Sequence, residues 1–182
     1  MRPPRPAGPA PDAATLREAA LRHLARFSTT EAGMVRVLDR RIDRWARAAQ
    51  AEPAASRDAQ QAARTVVKAL AAAGLIDDRA FAAARARRLT RAGRSGIVIG
   101  AHLAARGVAP ENRPAPPDPD RELAAALAYA SRRRLPPFAP DADPVKALGA
   151  LARAGFSQDI ARRALAMDEE EARDRLLALK AS

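Results

Sequence analysis

Cysteine is absent from the 182-residue chain, and aromatic residues make up only 3% of it. The absence of cysteine excludes a disulfide framework and any metal site built from thiolates. With one Trp, one Tyr and four Phe, a core has to be built mainly from Leu, Ile, Val and Ala. A series of small bundles fits such a thin core better than one large globule.

Long apolar runs are also lacking. The longest one, LAAALAYA, extends from Leu123 to Ala130 and is far shorter than the ~20 residues needed to cross a bilayer. The first residues, MRPPRPAGPAPD, are basic and proline-rich without the apolar segment of a secretory signal. We therefore expect a disordered tail over residues 1–13 and a cytoplasmic protein.

Patterns of catalytic and metal-binding residues are equally scarce. His23 and His102 each lie singly on a predicted helix, without a nucleophile at a motif spacing. Asp77 and Asp78 follow a helix-ending glycine, where capping of the next helix is a simpler role than metal binding. No phosphate-binding loop is present. We expect no enzymatic activity, no metal and no cofactor.

Acidic residues are outnumbered, since 32 Lys and Arg face 21 Asp and Glu and leave a formal charge of +11. This excess indicates a polyanionic partner or a negatively charged assembly. The alternative is that arginine only keeps an alanine-rich chain in solution. The candidate partner-binding arginines form three groups: Arg36, Arg40, Arg44 and Arg47; Arg87, Arg88, Arg91 and Arg94; and Arg132, Arg133 and Arg134.

Helical spacing is found throughout the chain, whereas strand-like alternation is almost absent. A first stripe joins Leu16, Ala20, Leu24 and Phe27, and a third helix is expected from about Asp58 to Ala73 after a linker, QAEPAASRD. The clearest helix is the second, from about Glu31 to Ala48, with Thr29 or Thr30 as its N-cap. Its predicted apolar side comprises Met34, Val35, Leu38, Ile42, Trp45 and Ala46.

The arginines of this second helix lie opposite its apolar side and have two interpretations. They are either a solvated face, partly neutralised by Asp39 and Asp43 through pairs such as Asp43 with Arg47, or a surface that neutralises phosphates or acidic patches. Both remain open from the sequence. Base-specific recognition is not expected, because the few aromatic residues supply no stacking platform.

One pattern ends a helix three times, in LAAAGLIDD, LAARGVAPE and LARAGFSQD. Its glycines, Gly74, Gly107 and Gly155, are expected to take the left-handed conformation that closes a helix. Because their intervals are unequal, they indicate diverged copies of one helical unit. We predict an all-α fold of three-helix units over residues 14–75, 76–108 and 120–182. The proline-rich segment 109–119 is a linker that replaces the third helix of the middle unit.

The stretch GLIDDRAFAAARARRLTRAGRSGIVIGAHLAARGV, residues 74–108, resembles the signature of the RecX family, bacterial regulators of the RecA recombinase. LRHLARFSTTEAGMVRVL and LARAGFSQDIARRAL are similar to further parts of the family pattern, so the resemblance extends from about Leu16 to Leu165. The middle block carries the resemblance through Ile76, Asp77, Asp78, Phe81, Ala82, Arg85–Arg88, Gly93, Ile99, Leu103, Gly107 and Val108.

The resemblance implies an elongated tandem array of three helical units that lies along the RecA–DNA filament. It further implies an inhibitor of the recombinase, active in recombination, DNA repair and the SOS response, that meets DNA within the filament. We expect a monomer. Two alternatives remain open: a stand-alone DNA-binding protein of helix-turn-helix-like units, and a helical adaptor for another protein.

Arg85 falls inside an apolar stripe, about 40° from both Phe81 and Leu89 on the helix that begins near Asp78. A buried guanidinium requires a partner, because the loss of its hydration costs on the order of several kcal/mol. We expect Arg85 to pair with a carboxylate, either Asp77, Asp78 or an acid beyond the proline-rich segment, rather than to reach water.

Overall fold

The structure is a computed structural model that describes residues 8–181 of the chain, and these residues form nine α-helices and no strand. The predicted all-α class is confirmed. Residues 1–7 of the predicted tail lie outside the described residues. The helices are α1 (Ala13–Leu24), α2 (Glu31–Ala49), α3 (Pro53–Ala72), α4 (Asp78–Arg91), α5 (Gly96–Ala105), α6 (Pro119–Arg133), α7 (Pro144–Arg153), α8 (Gln158–Ala166) and α9 (Glu169–Ala181).

The chain divides into two compact units. We call residues 8–81 together with 106–108 the N-terminal unit, and residues 82–105 together with 109–181 the C-terminal unit. The boundary falls within α4, so the predicted middle unit, residues 76–108, is shared between the two. The division into three helical units, with a linker over residues 109–119 between the second and the third, stays a prediction.

The core of the N-terminal unit is formed by α1, α2 and α3. Its largest fully buried side chains are Leu16, Met34, Leu38, Ile42, Val67 and Leu70. The apolar side predicted for α2 is confirmed at Met34, Leu38 and Ile42, whereas Val35, Trp45 and Ala46 are half-buried. Phe27, the last position of the predicted first stripe, does not belong to the core, because the residue is 53% exposed. Since α1 ends at Leu24, the helical period does not extend to Phe27.

The ends of these helices follow local capping rules, with one correction. Thr30 is the N-cap of α2, because its Oγ1 accepts a hydrogen bond of 2.9 Å from the N–H of Gly33. The start predicted for α3, near Asp58, is wrong. The helix begins at Pro53, because a proline is favoured at the first helical position, where no N–H is needed. Part of the predicted linker QAEPAASRD is therefore helical.

The repeated glycines have the conformation that their pattern predicts, with φ of 71° at Gly74, 81° at Gly107 and 87° at Gly155. Gly93 ends α4 in the same way, with φ of 67°. There the N–H of Arg94 donates to the carbonyl of Leu89 at 3.0 Å, which is a hydrogen bond of a helix C-cap. This fourth position was missed because no apolar residue follows the glycine.

The C-terminal unit is built around α6, whose residues 123–128 are all buried. Side chains of α7, α8 and α9 pack against it, among them Leu151, Ile160 and Ala172. The proline-rich segment before α6 contains no α-helix, as predicted, but a 3-10 turn at Pro110–Asn112. Its last residue, Pro119, is the first residue of α6, with Asp118 as the N-cap.

Candidate polyanion-binding surfaces

The first candidate surface is the exposed side of α2, which we call the α2 arginine stripe: Arg40, Arg44 and Arg47. These side chains are exposed and share a sector of about 60° around the helix. None of them forms a hydrogen bond or an ion pair with another described residue. The suggested pair between Asp43 and Arg47 is therefore not formed, and the three charges remain available to a partner.

Arg36 differs from the rest of its predicted group because it has an internal partner. Its Nη2 donates to the carbonyl oxygen of Arg106 at 3.0 Å, and Oγ1 of Thr30 donates to the same oxygen at 2.8 Å. These bonds bind residues 106–108 to the start of α2 within the N-terminal unit. Because Arg106 is 70 positions away, no local pattern could have separated Arg36 from its neighbours.

Asp39 does not neutralise the α2 arginine stripe. It is half-buried, and its Oδ1 is buried without a hydrogen-bond partner among the described residues. Burial raises the pKa of the Asp39 carboxyl; the positive charge of Arg64 opposes this shift, and the negative charge of Asp43 adds to it. The charge that Asp39 feels most is therefore that of an α3 arginine.

The two acids of the family-like motif cap two different helices. Oδ1 of Asp77 accepts the N–H of Ala80 at 2.8 Å, so Asp77 caps α4. Oδ1 of Asp78 accepts the N–H of Glu31, also at 2.8 Å, and so satisfies a free donor at the start of α2. The apolar motif positions are packed: Phe81 is half-buried, and Ala82, Ile99 and Leu103 are buried. The motif thus has structural roles at each of these positions.

The other two arginine groups meet in the C-terminal unit. Arg132, near the end of α6, donates from Nη1 to the carbonyl of Ala92 at 2.9 Å and from Nη2 to that of Arg91 at 3.3 Å. Both carbonyls lie at the end of α4, where carbonyl groups lack helical partners. A Cβ at Gly93 would lie 2.6 Å from the backbone nitrogen of Tyr129. The ends of α4 and α6 are therefore in direct contact.

This contact creates a second basic surface, which we call the α4–α6 arginine surface: Arg88, Arg91, Arg94, Arg133 and Arg134. All five side chains are exposed, and none forms an ion pair with a described carboxylate. Arg133 lies 5.7 Å from the centre of the Tyr129 ring. Arginine at a helix end also offsets the helix dipole, which accounts for part of the cluster. A helix dipole is equivalent to only about half an elementary charge at each end, so most of the charge remains available to a polyanion.

The predicted carboxylate partner of Arg85 is wrong. The side chain of Arg85 is half-buried, and its Nε donates to Nε2 of His102 at 3.0 Å. His102 lies on α5, so the angular positions of residues around α4 could not identify it as the partner. An imidazole nitrogen accepts a hydrogen bond only when it carries no proton, so His102 is deprotonated at Nε2 in this arrangement.

Residues 8–181 contain neither a metal-binding cluster nor a membrane-spanning helix. No three His, Asp or Glu side chains in this range are grouped as a metal ion would require. No helix within it is both long and apolar enough to span a bilayer.

Known proteins offer two clear relatives. Over 161 residues the chain is 34% identical to the protein named Regulatory protein RecX of Myxococcus xanthus, a match that covers 82% of this chain and 83% of that protein. Over 103 residues it is 35% identical to the protein of the same name from Agrobacterium fabrum, covering 54% of this chain and 56% of the relative. No family model matches the chain. No solved structure matches it either.

Proposed function

The chain belongs to the RecX family of regulatory proteins, and we infer from this premise that it regulates a RecA recombinase. We propose that it does so without catalysis, by binding the recombinase–DNA filament and inhibiting recombinase activity. It would act in the cytoplasm as a monomer. The observation that supports filament binding is the α4–α6 arginine surface, because two groups of exposed arginines, distant in sequence, lie at helix ends that are in contact and have no described carboxylate partner.

A filament is a suitable partner for such surfaces because it carries DNA phosphates along its whole length. Each arginine that neutralises a phosphate releases a bound cation, so the affinity falls as the salt concentration rises. This contribution does not depend on base sequence. Of the aromatic residues, Trp45 lies half-buried on α2 with its Nε1 bonded to the carbonyl of Gly8 at 2.9 Å, which leaves it poorly placed for stacking on bases.

Both units contribute a basic surface, and their covalent connection strengthens binding to a repeating partner. The α2 arginine stripe has three arginines and the α4–α6 arginine surface has five, so either alone offers few phosphate contacts. When two linked sites bind one partner, the second contact becomes intramolecular and the combined affinity exceeds that of either site. A protein held at both sites would oppose filament growth and the rearrangements that accompany strand exchange.

The experiment that tests this function measures recombinase ATPase activity and DNA strand exchange with and without the protein. We expect both rates to fall as the protein is added, with a half-maximal effect below one protein per recombinase subunit if it acts at the growing filament. Increased rates would contradict inhibition. Unchanged rates combined with tight binding to naked duplex would favour a stand-alone DNA-binding protein. Unchanged rates without DNA binding would favour an adaptor.

A further inference from the structure

A cleft of about 550 Å³ lies within the C-terminal unit, between α4, α5 and the proline-rich segment. Its lining is mainly apolar and includes Ala83, Ala86, Ile99, Leu103 and, from α9, Leu179. The volume lies in the range of typical ligand sites. The cleft borders the α4–α6 arginine surface and shares Arg91 with it, whereas Arg88, Arg94, Arg133 and Arg134 do not line the cleft.

The proline-rich segment forms a preorganised wall of this cleft. Pro110, Pro114, Pro116 and Pro117 line it, and proline has a fixed φ and no N–H to leave unsatisfied. The segment also lies close to the start of α5, because a Cβ at Gly96 would be only 2.7 Å from Cδ of Pro117. A preorganised wall loses little entropy when a ligand binds.

The charged residues of the cleft are all basic. Arg87 and Arg91 line it from one face of α4, and Arg121 lines it from α6. The nearest carboxylate to Arg121 is that of Asp118, with 3.9 Å between Nε and Oδ2, and such an exposed pair is weak. No acidic side chain lies among the described residues that line the cleft. A complementary ligand therefore combines apolar groups with negative charge at its edges.

We propose that this cleft binds an acidic peptide segment of a protein partner. Apolar side chains of the peptide enter the cleft, and its carboxylates pair with Arg87, Arg91 and Arg121. A peptide fits better than a nucleic acid, because no aromatic ring lines the cleft on which a base could stack. The inference goes beyond filament binding through phosphates, since it assigns a second contact of different chemistry to the same unit.

Gly100 offers a direct way to block the cleft. It lies on α5 and lines the cleft, and a Cβ at this position would have no atom within 4 Å. Gly100→Leu would therefore add a large side chain to the lining of the cleft with open space at its Cβ, and it replaces a poor helix former with a good one. Ala101→Leu is the matched control, because Ala101 is the next residue of α5, is exposed and does not line the cleft.

The test measures fluorescence anisotropy of a labelled peptide of alternating glutamate and leucine, with a lysine–leucine peptide as the charge control. We expect the acidic peptide alone to bind. Gly100→Leu should weaken its binding by about tenfold or more, equivalent to about 1.4 kcal/mol, while Ala101→Leu binds as the unmodified protein does. Arg91→Glu should also weaken binding, and the exposed Arg162→Glu should not. Thermal melts of each variant verify folding.

Three outcomes would overturn the proposal. The acidic peptide does not bind, or it binds Gly100→Leu as tightly as the unmodified protein. In the third, oligothymidylate displaces the peptide, and Gly100→Leu weakens oligothymidylate binding as much as peptide binding. The last result would assign the cleft to nucleic acid. Because Arg88 and Arg94 do not line the cleft, their substitution tests filament binding separately. A failed test of peptide binding in the cleft therefore does not decide filament binding, and a failed test of filament binding does not decide peptide binding.

Discussion

The two units present arginine on their surfaces by different means. In the N-terminal unit, one amphipathic helix carries the whole α2 arginine stripe opposite its buried side. In the C-terminal unit, the α4–α6 arginine surface combines arginines of two helices whose ends meet, where Arg132 bonds to the carbonyl of Ala92, 40 positions away. A helical period is sufficient to create the first surface, whereas tertiary contacts create the second.

The cores differ in a related way. Large side chains such as Leu16, Met34 and Ile42 fill the N-terminal core, whereas buried alanines dominate α6. A buried alanine removes little apolar area from water, so the alanine-rich unit depends more on close approach of its backbones. We therefore expect the C-terminal unit to be the more sensitive of the two to small changes at its helix contacts.

The largest expected effect contrasts a crowded helix end with an open one. Gly93→Ala should destabilise the protein by about 3 kcal/mol or more, from the left-handed backbone and the clash with the Tyr129 backbone. Gly74→Ala has the same backbone requirement but no atom within 4 Å of the new Cβ, so it should cost only about 1–2 kcal/mol. Denaturant unfolding measures both, and equal losses would refute the close contact in the C-terminal unit.

The next effect separates an internal arginine from a surface one on the same helix. Arg85→Ala removes the hydrogen bond to His102 and should destabilise the protein by about 1–3 kcal/mol. Arg87→Ala, at an exposed position, should leave the stability nearly unchanged. Thermal melts compare the two variants. Equal melting temperatures would mean that Arg85 acts as a solvated arginine.

A smaller effect concerns the bond that assembles the α4–α6 arginine surface. Arg132→Ala removes both hydrogen bonds to the end of α4, and because the side chain is exposed we expect a loss of about 1 kcal/mol. Arg133→Ala removes only the contact with Tyr129 and should cost about 0.5 kcal/mol. The rate of amide hydrogen exchange at the end of α4 should increase in Arg132→Ala but not in Arg133→Ala. An unchanged rate in Arg132→Ala would show that Arg132 does not join the two helices.

The smallest effect is a pH dependence in the N-terminal unit. Burial raises the pKa of Asp39, so the folded chain binds this proton more tightly than the unfolded chain does. Ionisation of Asp39 therefore reduces the stability above its unfolded pKa, and this loss disappears as the pH falls below that value. Asp39→Asn should raise the melting temperature at neutral pH, with a gain that shrinks toward about pH 4. A gain that grows as the pH falls would contradict the direction of the shift.

Features with a local cause were predictable from the sequence. The buried side of α2, the cap at Thr30 and the three glycine-ended helices follow from periodicity and backbone preference. Phe27 and the start of α3 were misassigned because a helix end interrupts the period and a proline begins a helix. The partners of Arg36, Arg85 and Arg132 come from distant positions, and no local pattern encodes such pairs.

The most direct test of filament binding compares its salt dependence between two doubly substituted variants. Arg88→Glu with Arg94→Glu changes the α4–α6 arginine surface, and Arg57→Glu with Arg162→Glu makes the same change of charge at exposed positions elsewhere. We predict that the first variant binds the recombinase–DNA filament at least about tenfold more weakly, with a log–log salt slope shallower by about 2. The control should retain both the affinity and the slope. Unmodified affinity and slope in the Arg88 and Arg94 variant would contradict the proposed filament surface.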